Sequence, residues 1–350
     1  MAFRSASRKL SQQAAATTIP SFGFSGAGFL VSYHLGASKC FLDHGYIRID
    51  EATASSSRKN VIMGVSGGAI AGASIAAGVT PEDAMSIAID VAEKTRKEGF
   101  LDAFKPGFSL IDQVEEPLLK EISDAVNGDM ELLGRRINGK IYTGLTDRSI
   151  KPFLKNPKSY CYVDHYRDAE DVVAACMLSS YVPGATGTVN VSPTLSRASS
   201  KIREMVELGY VKQRKPGSQE ITTVRLESLM EDAFPPFIDG GLCNGFPVFD
   251  SSTVVVTPLA GDFQPNRSVC PLVHDDDSLH RLSSRVALHL NRQNVKTFRR
   301  MILSSDEDAL QRRFSQGHDD AKRFLVQHGL ERVHYVVGGS PSPGKEIHGS

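Results

Sequence analysis

Residues 61–72 read Val61-Ile-Met-Gly64-Val-Ser66-Gly-Gly68-Ala-Ile-Ala-Gly72. An apolar strand runs into Gly64-x-Ser66-x-Gly68. Ala69, Ile70, Ala71, Ala73, Ile75, Ala76 and Ala77 then suit a helix packed close to a sheet. Strand, sharp turn and helix are the context in which a G-x-S-x-G serine stands as a nucleophile. Gly64 and Gly68 leave room for the turn, and the amides at the helix start favour negative charge on the reacting atoms. The pentapeptide alone also arises as an ordinary turn in a chain rich in Gly and Ser, so its meaning depends on what stands elsewhere.

The chain has 350 residues, enough for one large α/β domain or two smaller ones. Forty Lys and Arg balance forty Asp and Glu, which argues against a nucleic-acid binder. No apolar run approaches the length of a membrane-spanning helix. The five cysteines, Cys40, Cys161, Cys176, Cys243 and Cys270, are scattered and form no C-x-x-C. They read as reduced thiols of an intracellular protein, with neither a disulfide framework nor a zinc site. Residues 1–20 carry Arg4, Arg8 and Lys9 and no acid. That composition resembles an organelle-targeting segment and equally fits a plain tail; it lacks the apolar stretch of a secretory signal.

Along the chain, a short strand at 20–25 enters Gly26-Ala27-Gly28, and a helix follows from about Phe29 to His44, ended by Gly45. Residues 51–60 are Ser-rich and loop-like. Thr80-Pro81-Glu82-Asp83 marks a helix start, with Thr as cap, Pro first and acids in the first turn. Further helices are expected over 114–134, 169–179, 278–301 and 305–328, and strands over 140–145 and 252–259. Residues 187–232 read as a long surface insertion with one short helix near 200–208. The domain reading is a tail at 1–19, a catalytic domain at 20–260, a helical extension at 261–337 and a flexible tail at 338–350. Strands alternating with helices indicate an α/β fold with a largely parallel sheet.

A serine nucleophile needs a base. The ten histidines, among them His34, His44, His165, His274, His280, His289, His318, His328 and His334, read as surface or packing residues. A Ser-His-Asp triad would have to draw on a late one: His289, His318 or His334. Asp239-Gly240-Gly241 is the chain's only Asp-Gly pair, following Phe237-Ile238, and is either a carboxylate site or a simple turn. Gly26-Ala27-Gly28 exposes backbone amides at a helix start that can hold an oxyanion. As a dinucleotide loop it is weak, because Val31 stands where a third glycine belongs.

The ordered set Gly26-Ala27-Gly28, Gly64-Val65-Ser66-Gly67-Gly68 and Asp239-Gly240-Gly241 resembles the patatin-like phospholipase family. Phe24-Ser-Gly-Ala-Gly-Phe-Leu-Val-Ser-Tyr-His-Leu-Gly36, Val256-Thr-Pro-Leu-Ala-Gly261 and Arg323-Phe-Leu-Val-Gln-His-Gly329 look most like its adipose triglyceride lipase and adiponutrin branch. The likeness covers roughly residues 20–330.

The resemblance implies a three-layer α/β fold with a mostly parallel central sheet, helices on both faces and a nucleophile elbow at Gly64 to Gly68. It implies a Ser-Asp dyad of Ser66 and Asp239, an oxyanion hole at Gly26, Ala27 and Gly28, and neither metal nor cofactor. The implied activity is hydrolysis of acylglycerol esters through an acyl-enzyme, with phospholipase or transacylase activity as alternatives. A weakly active lipid-droplet protein is the non-enzyme alternative. The implied setting is cytoplasmic, on lipid droplets or membranes, with room for a protein co-activator and no nucleic acid. A carboxylate serving alone as base needs a raised pKa, expected here from burial beside Phe237 and Ile238. The 305–328 segment mixes Leu310, Phe314, Phe324 and Leu325 with cations, a pattern suited to core packing or to a lipid surface.

Overall fold

The computed structural model describes residues 20–49, 61–97, 109–148, 160–187, 191–214, 220–229, 234–263, 267–273, 279–282 and 286–330. Its main sheet contains β1 (Phe22–Phe24), β2 (Ile62–Gly64), β3 (Ile141–Asp147), β4 (Tyr160–Val163), β5 (Val211–Arg214), β6 (Ile221–Thr223), β7 (Phe237–Asp239), β8 (Val254–Val256) and, past the short β9 (Gly261–Phe263), β10 (Ser268–Val269). The order is β10-β8-β1-β2-β3-β4-β5-β6, with β7 paired to β3. Strands β10, β8, β1, β2 and β3 are mutually parallel; β4, β5, β6 and β7 join through antiparallel pairs. The parallel centre is Phe-Gly-Phe, Ile-Met-Gly and Val-Val-Val, every residue buried, as a sheet covered on both faces requires.

Helices cover both faces, giving a three-layer α/β protein. They are α1 (Val31–Asp43), α2 (Gly67–Ala77), α3 (Pro81–Lys97), α4 (Leu110–Ala125), α5 (Met130–Ile137), α6 (Ala169–Ser179), α7 (Pro193–Glu207), α8 (Gly241–Asn244), α9 (Arg292–Ile302) and α10 (Glu307–Gln327). Their starts follow side-chain chemistry. The Asp83 amide donates to Thr80 Oγ1 (3.1 Å), and the Asp171 amide to Asp168 Oδ1 (2.8 Å). Helix α10 buries Leu310, Phe324 and Leu325 against α1, where Phe41 meets Phe324 edge-on and Tyr33 donates to Asp320 (2.7 Å). The 305–328 segment therefore packs into the core.

Three expectations change. The 114–134 segment is two helices, because Asn127 and Gly128 turn into the left-handed region (φ 51° and 73°) and Asp129 caps a new start by accepting from the Leu132 amide (2.9 Å). The 187–232 segment is not a surface insertion among its described residues. Helix α7 buries Leu195, Ala198, Ile202, Met205 and Val206 against α6, and β5 and β6 continue the main sheet. Its Ser and Arg clusters hid an apolar stripe spaced three and four residues apart.

The 278–301 segment is helical only from Arg292. Before it, β11 (Leu279–Arg281) and β12 (Val286–His289) form a small antiparallel sheet with β9. With β10 in the main sheet, residues 261–330 are strands and helices together rather than a helical extension. The expected tails at 1–19 and 338–350, the loop at 51–60, and His274 and His334 lie outside the described residues.

Ile202→Ala should cost about 2–5 kcal/mol of unfolding free energy, as for a core cavity, measured by urea denaturation. A change near zero would return 187–232 to the role of an appendage.

Candidate active site

The site forms where parallel strands end. Strand β3 pairs with β2 as far as Thr143 opposite Gly64, and with β7 from Leu145 opposite Asp239. Ser66, two residues past the end of β2, and Asp239, at the end of β7, are thereby delivered to one edge of the sheet. β1 ends beside them and leads into Gly26-Ala27-Gly28.

Ser66 has φ 54° and ψ −134°, a region that a side chain occupies only under strain. The turn is tight. A Cβ on Gly64 would stand 2.4 Å from the Gly68 carbonyl oxygen, and one on Gly68 would stand 2.4 Å from those of Phe24 and Ser25. Both positions exclude any side chain, and this brings α2 against β1. The strained backbone is tied down by Ser179 at the end of α6. Ser179 Oγ accepts from the Ser66 amide (2.9 Å) and donates to the Gly144 carbonyl (2.7 Å), at the junction of the two β3 pairings. The same helix end holds the other half of the site. The Asp239 amide donates to the Tyr181 carbonyl (2.9 Å) and the Gly240 amide to that of Ser179 (3.2 Å).

Asp239 is buried beside Phe237 and Ile238. Burial raises its pKa from the ordinary 3.8 to about 6, while the facing Ser66 hydroxyl and the Gly241 amide, which donates to Oδ1 (2.6 Å), pull it down. In the glycine loop the Gly26 amide is turned toward the Gly245 carbonyl (3.4 Å), whereas Ala27 and Gly28 amides have no acceptor among the described residues. Gly28 N lies 3.1 Å from where a Cβ on Gly67 would stand, so this amide borders the elbow. Val31 is the first residue of α1 with φ −48°, so the place where a third glycine was missing needs none.

Two residues escaped the sequence reading. Ser179 gave no signal, being the last residue of an apolar helix. His34 read as a packing residue, and it is fully buried. Its Nε2 lies 2.9 Å from the Ser25 carbonyl. A carbonyl only accepts, so Nε2 carries the proton and supports the glycine loop from behind. Burial lowers the His34 pKa to about 4, which keeps the ring neutral. An apolar cavity of about 90 Å³ opens at Ser66 and is walled by Ile70, Ile87, Val91, Ile111, Val114 and Leu118 of α2, α3 and α4. No histidine lines it among the described residues.

A strained serine at a strand–helix elbow, a buried carboxylate facing it and an apolar cavity define an α/β protein with a strand–turn–helix elbow at its candidate site. The sequence profile described as "Patatin-like phospholipase" matches residues 24–250, and the chain belongs to that family. It is 24% identical over 311 residues to human "1-acylglycerol-3-phosphate O-acyltransferase PNPLA3", covering 89% of this chain and 51% of the relative. It is 23% identical over 309 residues to mouse "Patatin-like phospholipase domain-containing protein 2", covering 88% and 50%. The chain thus spans about half the length of these relatives.

Because its folded-state pKa is raised, the folded chain binds a proton at Asp239 between about pH 4 and 6 that the unfolded chain has released. Stability therefore falls as pH rises through this window, and above it the buried charge costs about 3 kcal/mol. Asp239→Asn should stabilise the fold by up to about that amount at pH 8, with the gain gone by about pH 4 in denaturant melts at both pH values.

Proposed function

We propose that this protein is a serine acyl hydrolase of lipid esters, with Ser66 as nucleophile, Asp239 as its base and acylglycerols as the preferred substrates. The observation that carries the reading is the pairing of the strained Ser66 with a buried carboxylate whose pKa is raised to about 6. A carboxylate at its ordinary pKa is a poor base near neutral pH; one at about 6 is matched to the task.

In the proposed reaction, Asp239 takes the Ser66 hydroxyl proton as Oγ attacks the ester carbonyl. The amides of Ala27 and Gly28 hold the tetrahedral oxyanion, each such donor contributing about 3 kcal/mol. The leaving alcohol receives the proton from Asp239. Water, activated by the same carboxylate, then releases the acid from Ser66. The acyl chain occupies the cavity between α2, α3 and α4, whose lining among the described residues is mainly apolar and carries no charged side chain. An acyl-enzyme can also pass its acyl group to an alcohol. The name of the human relative supports this transacylase reading as the second choice.

Ser66→Ala should abolish turnover of triacylglycerol, diacylglycerol and phospholipid alike, together with labelling by a fluorophosphonate probe. Retained esterase activity, or absence of a Ser66 adduct on the unaltered chain, overturns the assignment. For the unaltered chain, kcat/KM should be flat above about pH 6 and fall about tenfold per pH unit below it, since only ionised Asp239 accepts the proton. A profile insensitive to pH between 5 and 7 removes Asp239 from the role of base.

A further inference from the structure

Helix α9 is docked by its polar side and shows its apolar side to solvent. Its inward residues include Asn294 and Thr297, both buried. The Asn294 side chain accepts from the Ala260 amide (2.9 Å) and donates to the carbonyls of Ala260 (2.7 Å) and His289 (2.7 Å). Hydrogen bonds, rather than apolar burial, hold the helix in place. On the outward side Val295, Phe298 and Ile302, three and four residues apart, are 68%, 56% and 44% exposed. A helix adapted to water turns such a stripe inward. The exposed apolar surface continues into Leu290, just before the helix, and Leu279, which pairs near it across β12.

Charge is arranged with equal bias. Residues 290–305 contain Arg292, Lys296, Arg299 and Arg300 and no acid. At about 100° per residue these four exposed cations fall along one flank of the apolar stripe. An apolar stripe with a cationic flank matches the boundary between anionic headgroups and acyl chains. The helix is also placed at the site. A Cβ on Gly28 would stand 2.0 Å from the Met301 carbonyl oxygen, and Gly28 has φ 52°, so the end of α9 rests directly on the glycine loop beside Ser66. Gly28 and Phe29 line the cavity that opens there.

We infer that α9 is an interfacial anchor that seats the protein on an anionic phospholipid surface. Val295, Phe298, Ile302 and Leu290 enter the acyl boundary, the four cations meet the phosphates, and the Gly28 side of the cavity is brought to the lipid. The inference rests on the proposed lipid-ester activity only for its purpose, not for its test.

The experiment is vesicle flotation of the full chain with phosphatidylcholine vesicles, with and without phosphatidylserine. The unaltered chain should float with the anionic vesicles. Phe298→Glu should lower the bound fraction about tenfold or more. Arg299→Gln and Arg300→Gln should each lower partition onto anionic vesicles about fivefold and leave partition onto phosphatidylcholine unmoved. Val326→Ser, at an exposed apolar residue of α10, should change nothing. Ser66→Ala should float as the unaltered chain does, so loss of the hydrolase reading leaves this test intact. Phe298→Ser serves if Phe298→Glu melts at a lower temperature. Flotation of the Phe298 and arginine variants equal to that of the unaltered chain overturns the inference. So does a concentration-dependent dimer, abolished by Phe298→Glu, in a chain that binds neither vesicle.

Discussion

The hydroxyl of Ser179 is the point through which the site is registered. It joins the Ser66 amide to the Gly144 carbonyl, and so fixes the elbow to the strand that also carries β7. A non-glycine residue at φ 54° costs on the order of 1–3 kcal/mol and persists only where its surroundings leave no alternative. Those surroundings are the end of α6, which also accepts the amides of Asp239 and Gly240. Ser66 and Asp239 lie more than 170 residues apart in the chain, yet both are tied to one helix end.

Burial acts on two titratable groups here with opposite results. It raises the Asp239 pKa to about 6, the shift that the proposed role of base requires. It lowers that of His34 to about 4, so the imidazole stays uncharged and its Nε2–H remains committed to the Ser25 carbonyl. The histidine thus acts as a strut behind the glycine loop. With the ring neutral, it adds no positive charge there that would draw the Asp239 pKa back down. The cost of an unsolvated carboxylate is carried by the fold, in keeping with functional sites that trade stability for reactivity.

Helix α9 reverses the pattern of α7. Helix α7 hides an apolar stripe under a polar surface; α9 hides Asn294 and Thr297 and displays Val295, Phe298 and Ile302. Such a local departure from the water-soluble pattern concentrates where a protein meets something other than water. Its contact with the glycine loop links that surface to the cavity at Ser66.

Much of this was legible in order along the chain. The parallel centre showed as short apolar runs, the elbow as two glycines flanking a serine before a helix, and the carboxylate as the only Asp-Gly pair. The helix start at Thr80 declared itself through local chemistry, with Thr as cap, Pro first and acids in the first turn. The misreadings share a cause: where apolar residues are sparse or a turn is short, local pattern underdetermines structure. The Asn127-Gly128 turn divides 114–134, the buried stripe of α7 lay among polar residues, and the strands Leu279–Arg281 and Val286–His289 are too short to show a period distinct from the helix that follows. Sequence alone singled out Ser66, Asp239 and the glycines around them as the candidate site, because these signals depend on residue type and near neighbours. Tertiary structure decided that they meet, that Ser179 and His34 hold them, that Asp239 is buried enough to raise its pKa, and that α9 turns outward. Each of these depends on contacts between distant segments, and no short stretch of chain encodes them.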